Sequence, residues 1–155
     1  MSGKPSNPLR VICDSHLRTP LDARVVQTAS VVPTCIATTE TDQAKHQPYL
    51  DQGCTIMVVP EAAGHVDLAD LMVQLGASGI DSVIVEGGAE INWSMMESGV
   101  VNAIQAYIAP KLFGGVQAPH PLGGLGAETP SEAFTCTHPQ ITMLGNDVLI
   151  ECEVM

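Results

Sequence analysis

The stretch from 82 to 88 reads SVIVEGG, and the chain around it decides the fold. Residues 83–85, VIV, are all apolar, which is typical of a strand covered on both faces. The run ends at Glu86 and two glycines, and helix-forming residues follow from 89 to 98. This order predicts a strand that turns on glycine directly into a helix.

A second helix is predicted just upstream of that strand. Apolar residues recur at 68, 71, 72 and 75, which is the spacing of one helical face. Asp67 precedes them as a suitable N-cap, and Gly76 and Gly79 are expected to end the helix. The segment 40–51 is polar enough to form either a surface helix or a loop.

Short apolar runs rich in β-branched residues predict the other strands. In the last run, Ile150, Cys152 and Val154 alternate with Glu151 and Glu153, which favours an antiparallel strand with one wet face. Strand–helix order early in the chain and antiparallel strands late predict an α/β fold with a mixed β-sheet. The predicted strands are 9–13, 34–38, 55–59, 82–85, 103–108, 134–137 and 148–154.

Composition excludes several classes of function. The 155 residues include 6 Lys or Arg and 17 Asp or Glu, a formal net charge of −11. Because six cations are too few to form a basic surface along a phosphate backbone, a nucleic-acid partner is not expected. An acidic surface also disfavours anionic membranes, and no window has the roughly 18 apolar residues of a membrane span. The length fits one domain, preceded by a flexible tail at 1–8.

The cysteines and histidines indicate neither disulfides nor a metal. Five cysteines without a CxxC pair suit reduced thiols, so we expect a cytoplasmic protein. Cys13, Cys35 and Cys152 lie in apolar runs and are predicted to be small core residues. The five histidines are dispersed, without the spacing of a zinc site.

The glycine turn after Glu86 is the strongest candidate for chemistry. Ligands of open α/β sheets collect beyond the carboxyl ends of strands, and a helix N-terminus favours a phosphate. Without the GxGxxG pattern, the same residues are equally compatible with a simple tight turn. Glu86 itself can bind sugar hydroxyls, or its carboxylate can be satisfied by neighbouring backbone N–H groups.

Two further polar segments are candidates. The segment 14–20, DSHLRTP, also follows a strand, and its Arg18 can hold a phosphate bidentately or pair with Asp14 across the turn. The glycine-rich segment 111–129 is either a mobile lid or a long surface connection. No nucleophile motif or catalytic carboxylate pair is evident, which suits an enzyme whose cofactor carries the chemistry.

Taken together, four blocks resemble the reductase domain of the bacterial bifunctional riboflavin-biosynthesis deaminase–reductase, the RibD family. The resemblance implies a dihydrofolate reductase-like fold, a mixed sheet with flanking helices. The four blocks, which cover nearly the whole chain, are PLRVICDSHLRTP at 8–20, GHVDLADLMVQLGASGIDSVIVEGGAEINWSMM at 64–96, YIAPKLFGG at 107–115 and LGNDVLIECEV at 144–154.

The resemblance implies NADPH-dependent reduction of 5-amino-6-(5-phosphoribosylamino)uracil, with hydride transferred to the ribose C1′ to give the ribitylamino compound. It assigns substrate contact to Glu86, and Arg18 is the further candidate for the substrate phosphate. By the same resemblance Ser15 contacts NADPH, as do the residues that follow the glycine turn. These are Gly88, Ala89, Glu90, Ile91, Asn92, Trp93 and Ser94.

The resemblance also implies that 9–155 is a partial reductase domain, truncated on its N-terminal side. In the family this domain begins upstream of the PLRVICD block, and the upstream part supplies a first strand, a helix and much of the substrate pocket. The alternative to a reductase is therefore a non-catalytic fragment that keeps the dinucleotide half-site or an oligomer interface. Unpaired edges and exposed apolar surface predict a homo-oligomer or a rearranged sheet edge.

Overall fold

The computed structural model describes residues 7–155, which form two compact units that divide at Gly79/Ile80. The predicted tail at 1–8 lies almost entirely outside the described residues, and the assignment of 9–155 to one partial domain stays a prediction. Unit 1 contains β1 (Arg10–Cys13), α1 (Arg24–Gln27), β2 (Thr34–Thr38), α2 (Gln43–Asp51), β3 (Thr55–Val58), β4 (Glu61–Ala62), β5 (His65–Val66) and α3 (Leu68–Ala77).

The sheet of unit 1 is parallel, in the order β1-β2-β3. Val11 pairs with Cys35, and Cys35 in turn pairs with Thr55, so β2 is the central strand. All five residues of β2 are buried, and Ile36 and Ala37 have no exposed surface. This agrees with its unbroken TCIAT run, because a central parallel strand is covered on both faces. A short antiparallel pair, β4-β5, follows the sheet.

The core of unit 1 lies between this sheet and the helices α1 and α2. Val26, Ile36 and Tyr49 form its centre, with Ala29 and Cys54 beside them. Arg10 links β1 to α1, to β2 and to the segment between them. Its guanidinium donates to Thr28 Oγ1 (3.0 Å), Thr34 Oγ1 (2.6 Å), and the carbonyls of 25 and 32 (3.0 Å each). The cation is thus satisfied by neutral acceptors rather than by a carboxylate.

Helix α3 begins as its sequence predicts. The Asp67 carboxylate accepts the backbone N–H groups of Ala69 and Asp70, both at 3.0 Å, and caps the helix. Leu71 and Leu75 are buried on the predicted apolar face. Gly76 does not end the helix, because the helix continues to Ala77. The ending comes with Gly79, whose φ of +85° is accessible mainly to glycine.

Unit 2 contains an antiparallel sheet in the order β6-β8-β7. Ile104 pairs with Cys152 and Ile141 with Ile150, and a register shift between Thr137 and Gln140 interrupts β7. The strand β8 is central, which explains its mixture of buried and half-exposed positions. The elements are α4 (Ala89–Glu97), β6 (Ala103–Ile108), a 3-10 turn (Pro130–Glu132), β7 (Cys136–Leu144) and β8 (Asp147–Val154).

The structure confirms a mixed α/β fold and corrects two predicted strands. Residues 82–85 form no strand, and Ile84 is 84% exposed. Among residues 7–155 the backbone of this run makes no ladder hydrogen bond, because the run pairs with no neighbouring strand. The strand predicted at 134–137 instead begins at Cys136 and continues to Leu144, because pairing with β8 extends it. Parallel and antiparallel strands occupy separate sheets.

The cysteine predictions are only partly correct. Cys35 is buried as expected, whereas Cys13 is exposed and Cys152 is half-buried. All five thiols are free. No helix described within 7–155 has the length and apolar character needed to cross a membrane.

Candidate functional site

The N-terminus of α4 presents unpaired backbone donors. Gly88 is the N-cap and supplies no side-chain hydrogen bond, and the first internal bond runs from Asn92 N–H to Gly88 O at 3.1 Å. The N–H groups of residues 88–91 find no acceptor within the described part of the chain. They point outward at the positive end of the helix dipole, which is the geometry that binds anions.

The two glycines of the turn, Gly87 and Gly88, differ in whether the fold requires a glycine at that position. A Cβ at Gly87 would overlap the Ile91 side chain, so packing requires a glycine there. At Gly88 an added Cβ would meet nothing within 4 Å, and its φ of −77° is open to any residue. Neither packing nor backbone conformation requires a glycine at 88. The open space above it is therefore a cradle that a side chain would fill.

Glu86 precedes this cradle and is exposed. Its carboxylate makes no hydrogen bond or ion pair with any residue from 7 to 155, so the interpretation that neighbouring backbone N–H groups satisfy it is wrong. An unpaired carboxylate accepts hydrogen bonds, and sugar hydroxyls are ligands that it can bind.

Side chains on the first two turns of α4 contact a loop that sequence reasoning did not connect with them. Asn92 Nδ2 donates to Pro121 O at 2.9 Å, and Glu90 Oε1 accepts Gly124 N–H at 3.4 Å. The Trp93 ring packs edge-on against Phe134, with centroids 5.6 Å apart. The Gly123-Gly124 pair inside the glycine-rich segment 111–129 was the only sequence signal for these contacts.

The remaining predicted residues of α4 take different positions. Ser94 turns its hydroxyl back into the helix, donating to Glu90 O at 3.0 Å. Ala89 and Ile91 are half-buried, and their backbone N–H groups belong to the unpaired set at 88–91. Seven consecutive predicted residues thus lie together in unit 2, but they offer a ligand backbone groups more than side chains.

In unit 1 the turn after β1 is organised by a buried carboxylate. Asp14 is 7% exposed, and its Oδ2 accepts both the N–H and the hydroxyl of Thr19 at 2.6 Å. Burial opposes the charge, but these bonds, with backbone N–H groups of Arg18 and His16, outweigh it and hold the pKa of Asp14 below its ordinary value. The hydroxyl of Tyr49 lies 2.7 Å from Thr19 O and completes the network.

Ser15 connects three elements of unit 1 at the carboxyl edge of the parallel sheet. Its carbonyl accepts the hydroxyls of Thr38 at 3.0 Å and Thr39 at 2.8 Å, and its Oγ accepts Val66 N–H at 3.0 Å. The hydroxyl proton of Ser15 is not used by any of these bonds. Ser15 is therefore a structural anchor that still carries one hydrogen-bond donor.

Arg18 is exposed on the same turn. Its guanidinium makes no hydrogen bond or ion pair with the residues that the structure describes, and Asp14 is bonded to Thr19 instead. The interpretation that Arg18 pairs with Asp14 across the turn is therefore wrong. The structure leaves a free guanidinium within three residues of the Ser15 hydroxyl.

Comparison with solved structures places the fold in a class. Acinetobacter baumannii RibD matches with a TM-score of 0.73 at 18% identity, over 94% of this chain and 37% of that chain. A Saccharomyces cerevisiae riboflavin biosynthesis reductase matches with a TM-score of 0.66 at 20% identity, over 96% and 69%. At these identities the likeness establishes the fold, which is the α/β fold of riboflavin-biosynthesis reductases.

The family follows from the sequence. The model of the RibD C-terminal domain matches residues 1–150, and the chain belongs to that family. It is 42% identical over 148 residues to the riboflavin biosynthesis protein RibD of Actinobacillus pleuropneumoniae, spanning 96% of this chain and 39% of that protein. It is 31% identical to the 2,5-diamino-6-ribosylamino-4(3H)-pyrimidinone 5′-phosphate reductase of Methanothermobacter thermautotrophicus, spanning 96% and 67%.

Proposed function

We propose that this chain is the NADPH-binding part of a riboflavin-pathway reductase that reduces 5-amino-6-(5-phosphoribosylamino)uracil to 5-amino-6-(5-phosphoribitylamino)uracil. The observation that carries the proposal is the open cradle at Gly88, with the unpaired backbone donors of 88–91 beneath it. When bound, NADPH supplies the hydride that reduces the ribose C1′.

The residues present fit an anionic dinucleotide. Four consecutive amide donors at a helix N-terminus suit a phosphate group, and the glycine at 88 leaves room for its close approach. In unit 1 the spare hydroxyl proton of Ser15 is a further donor for a cofactor phosphate oxygen. The proposed roles of Ala89 and Ile91 are carried by their backbone N–H groups.

Substrate recognition is assigned to Glu86 and Arg18. The free Glu86 carboxylate accepts hydrogen bonds from ribose hydroxyls, and its negative charge stabilises positive charge that develops on the sugar. The Arg18 guanidinium has the fork geometry that binds a phosphate with two hydrogen bonds. The name of the reductase relative prints a diaminopyrimidinone ring in place of the uracil, and the higher identity to RibD favours the uracil form that the resemblance to the RibD family implies.

Calorimetric titration with NADPH tests the proposal. Gly88→Asp places bulk and negative charge in the cradle and is expected to abolish binding. The control is Gly76→Asp, which also introduces an aspartate into open space but lies in α3. Equal NADPH affinity of the two variants would contradict the assignment of the cradle.

Glu86→Gln separates substrate contact from cofactor contact. The amide keeps the size of the side chain but removes the charge, so NADPH affinity is expected to stay unchanged while turnover of the pyrimidine falls. Turnover is followed by the loss of NADPH absorbance. A variant with wild-type turnover would reject the role of Glu86.

The coverage of the relatives favours one alternative, a fragment that binds NADPH without turnover. The chain spans 39% of its RibD relative and 67% of its reductase relative. Arg18, Arg24 and Lys111 are the only described cations free of intramolecular bonds, few for two polyanionic ligands. NADPH binding with no oxidation by the substrate would support the fragment.

We also propose that the protein is a cytoplasmic homo-oligomer. Five free thiols suit a reducing compartment. Within residues 7–155 the edge strands β1, β3, β6 and β7 each pair on one side only, and such edges and exposed apolar side chains favour association. A monomer by light scattering at micromolar concentration would contradict the oligomer. The exposed apolar side chains of unit 2 include Ile84, Leu112, Phe113, Val116 and Leu125.

A further inference from the structure

The segment Pro121–Gly124, here called the strap, holds the first two turns of α4 almost entirely through its own backbone. Gly123 N–H donates to Ala89 O at 2.9 Å, and Pro121 O accepts Asn92 Nδ2 at 2.9 Å. Gly124 N–H reaches the Glu90 carboxylate at 3.4 Å. Three hydrogen bonds thus join residues about thirty positions apart in sequence.

The glycines of the strap are required by this contact. A Cβ at Gly123 would overlap the Glu90 carboxylate, and a Cβ at Gly124 would overlap the Trp93 indole. Two residues later, Gly126 has the same left-handed backbone, but a Cβ there would meet nothing within 4 Å. Close backbone approach to α4 is therefore a property of 123 and 124, and not of the whole glycine-rich loop.

The strap bonds to residues 89, 90 and 92 of α4, and none of its groups accepts a hydrogen bond from the N–H groups of 88–91. It also gives the Glu90 carboxylate a bonding partner away from that tip. Glu90 is in the first turn of the helix, where a released carboxylate is attracted to the same unpaired N–H groups that suit a phosphate. A loop that binds Glu90 keeps an internal anion from competing with an external one.

We propose that the strap is a positioning element of the cofactor site: its backbone orients α4 and holds the Glu90 carboxylate aside, so that the N–H groups of 88–91 stay open to the NADPH phosphate. In this arrangement the side chains of Glu90, Asn92 and Trp93 act through the strap and not by touching the cofactor. This inference rests on the proposed NADPH function, and the experiment separates the two.

Gly124→Ala and Gly126→Ala form a matched pair in the 155-residue chain. Both put a Cβ on a backbone with positive φ, +69° and +72°, so their backbone strain is similar, but only the first collides with α4. Trp93 is the only tryptophan, so acrylamide quenching of its fluorescence reports directly on the strap contact. Calorimetry gives the NADPH dissociation constant independently.

Gly124→Ala is expected to increase quenching of Trp93 and to raise the dissociation constant about tenfold relative to Gly126→Ala, the loss typical of one or two hydrogen bonds. Phe134→Leu changes no strap residue but removes the edge contact that holds the Trp93 ring beside Gly124, so it should loosen the strap contact and shift both quantities in the same direction by less. It provides the test if Gly124→Ala does not fold by circular dichroism.

Suppose that the wild-type chain binds NADPH and that Gly124→Ala and Gly126→Ala bind it with equal affinity. This result would overturn the positioning role of the strap and leave the proposed function intact. Phe134→Leu with wild-type quenching and affinity would count against it in the same way. A wild-type chain that does not bind NADPH would instead overturn the proposed function, and the positioning role with it.

Discussion

Asp14→Asn is expected to destabilise unit 1 and to loosen the turn that carries Ser15 and Arg18. The Asp14 carboxylate accepts two bonds from Thr19 at 2.6 Å within a 7% exposed side chain. An asparagine keeps the shape but loses the charge, and its NH₂ group faces donors instead of accepting from them. Because hydrogen bonds to charged groups contribute about 1.5–3 kcal/mol each, we expect a loss of about 2–3 kcal/mol in unfolding free energy at neutral pH.

The direction of the pH dependence follows from the depressed pKa of Asp14. The unfolded state takes up a proton at higher pH than the folded state does, so the carboxylate stabilises the fold above its unfolded pKa of about 3.9. That contribution is lost as the pH falls through the lower, folded pKa. The difference between wild type and Asp14→Asn should therefore be constant near neutrality and shrink in acid, below about pH 4.

Urea unfolding, combined with hydrogen exchange of the backbone N–H groups of 15–19, measures both effects. Asp22→Asn is the control, because Asp22 is exposed and makes no side-chain hydrogen bond with the residues that the structure describes. The reasoning is refuted if the two variants unfold at the same urea concentration at neutral pH. It is equally refuted if the deficit of Asp14→Asn persists unchanged in acid.

Three further substitutions test the packing of the fold. Gly87→Ala should destabilise unit 2 by about 1–3 kcal/mol, because its Cβ overlaps Ile91. A calorimetric melting temperature equal to that of the wild type would contradict this. Arg10→Lys cannot bond all the acceptors of the guanidinium and should lower the free energy of unfolding in urea by about 1–3 kcal/mol, and an unchanged value would contradict the stabilising role of these hydrogen bonds. Ser15→Ala leaves the buried Val66 N–H without an acceptor and should accelerate its hydrogen exchange. An unchanged exchange rate would show that the Ser15 hydroxyl does not protect this N–H group.

Local chemistry made much of the fold predictable. Asp67 caps α3 and the apolar face at 71 and 75 is buried, because capping and helical periodicity depend on residues within one or two turns. The β-branched TCIAT run correctly predicted a strand at 34–38. The glycine turn at 86–88 before α4 was found for the same reason, since a sharp turn into a helix needs small residues in a short stretch of sequence.

Pairing across long distances in sequence was not predictable. The run at 82–85 has the composition of a buried strand, yet it pairs with no strand within the described chain, because a ladder requires a neighbour that composition cannot supply. The partner of Asp14 was equally ambiguous. Arg18 and Thr19 are both within reach, and only the folded turn directs the carboxylate to Thr19.

The sequence by itself determined the α/β class, most helix and strand positions, and the location of the cradle at Gly88. The folded chain alone decided which groups there remain free. Glu86 has no bonding partner among the residues that the structure describes, whereas Glu90 and Asn92 are bound to a loop about thirty residues away. The physical reason is that propensity and capping act between near neighbours, while the availability of a polar group depends on every segment that folding brings against it.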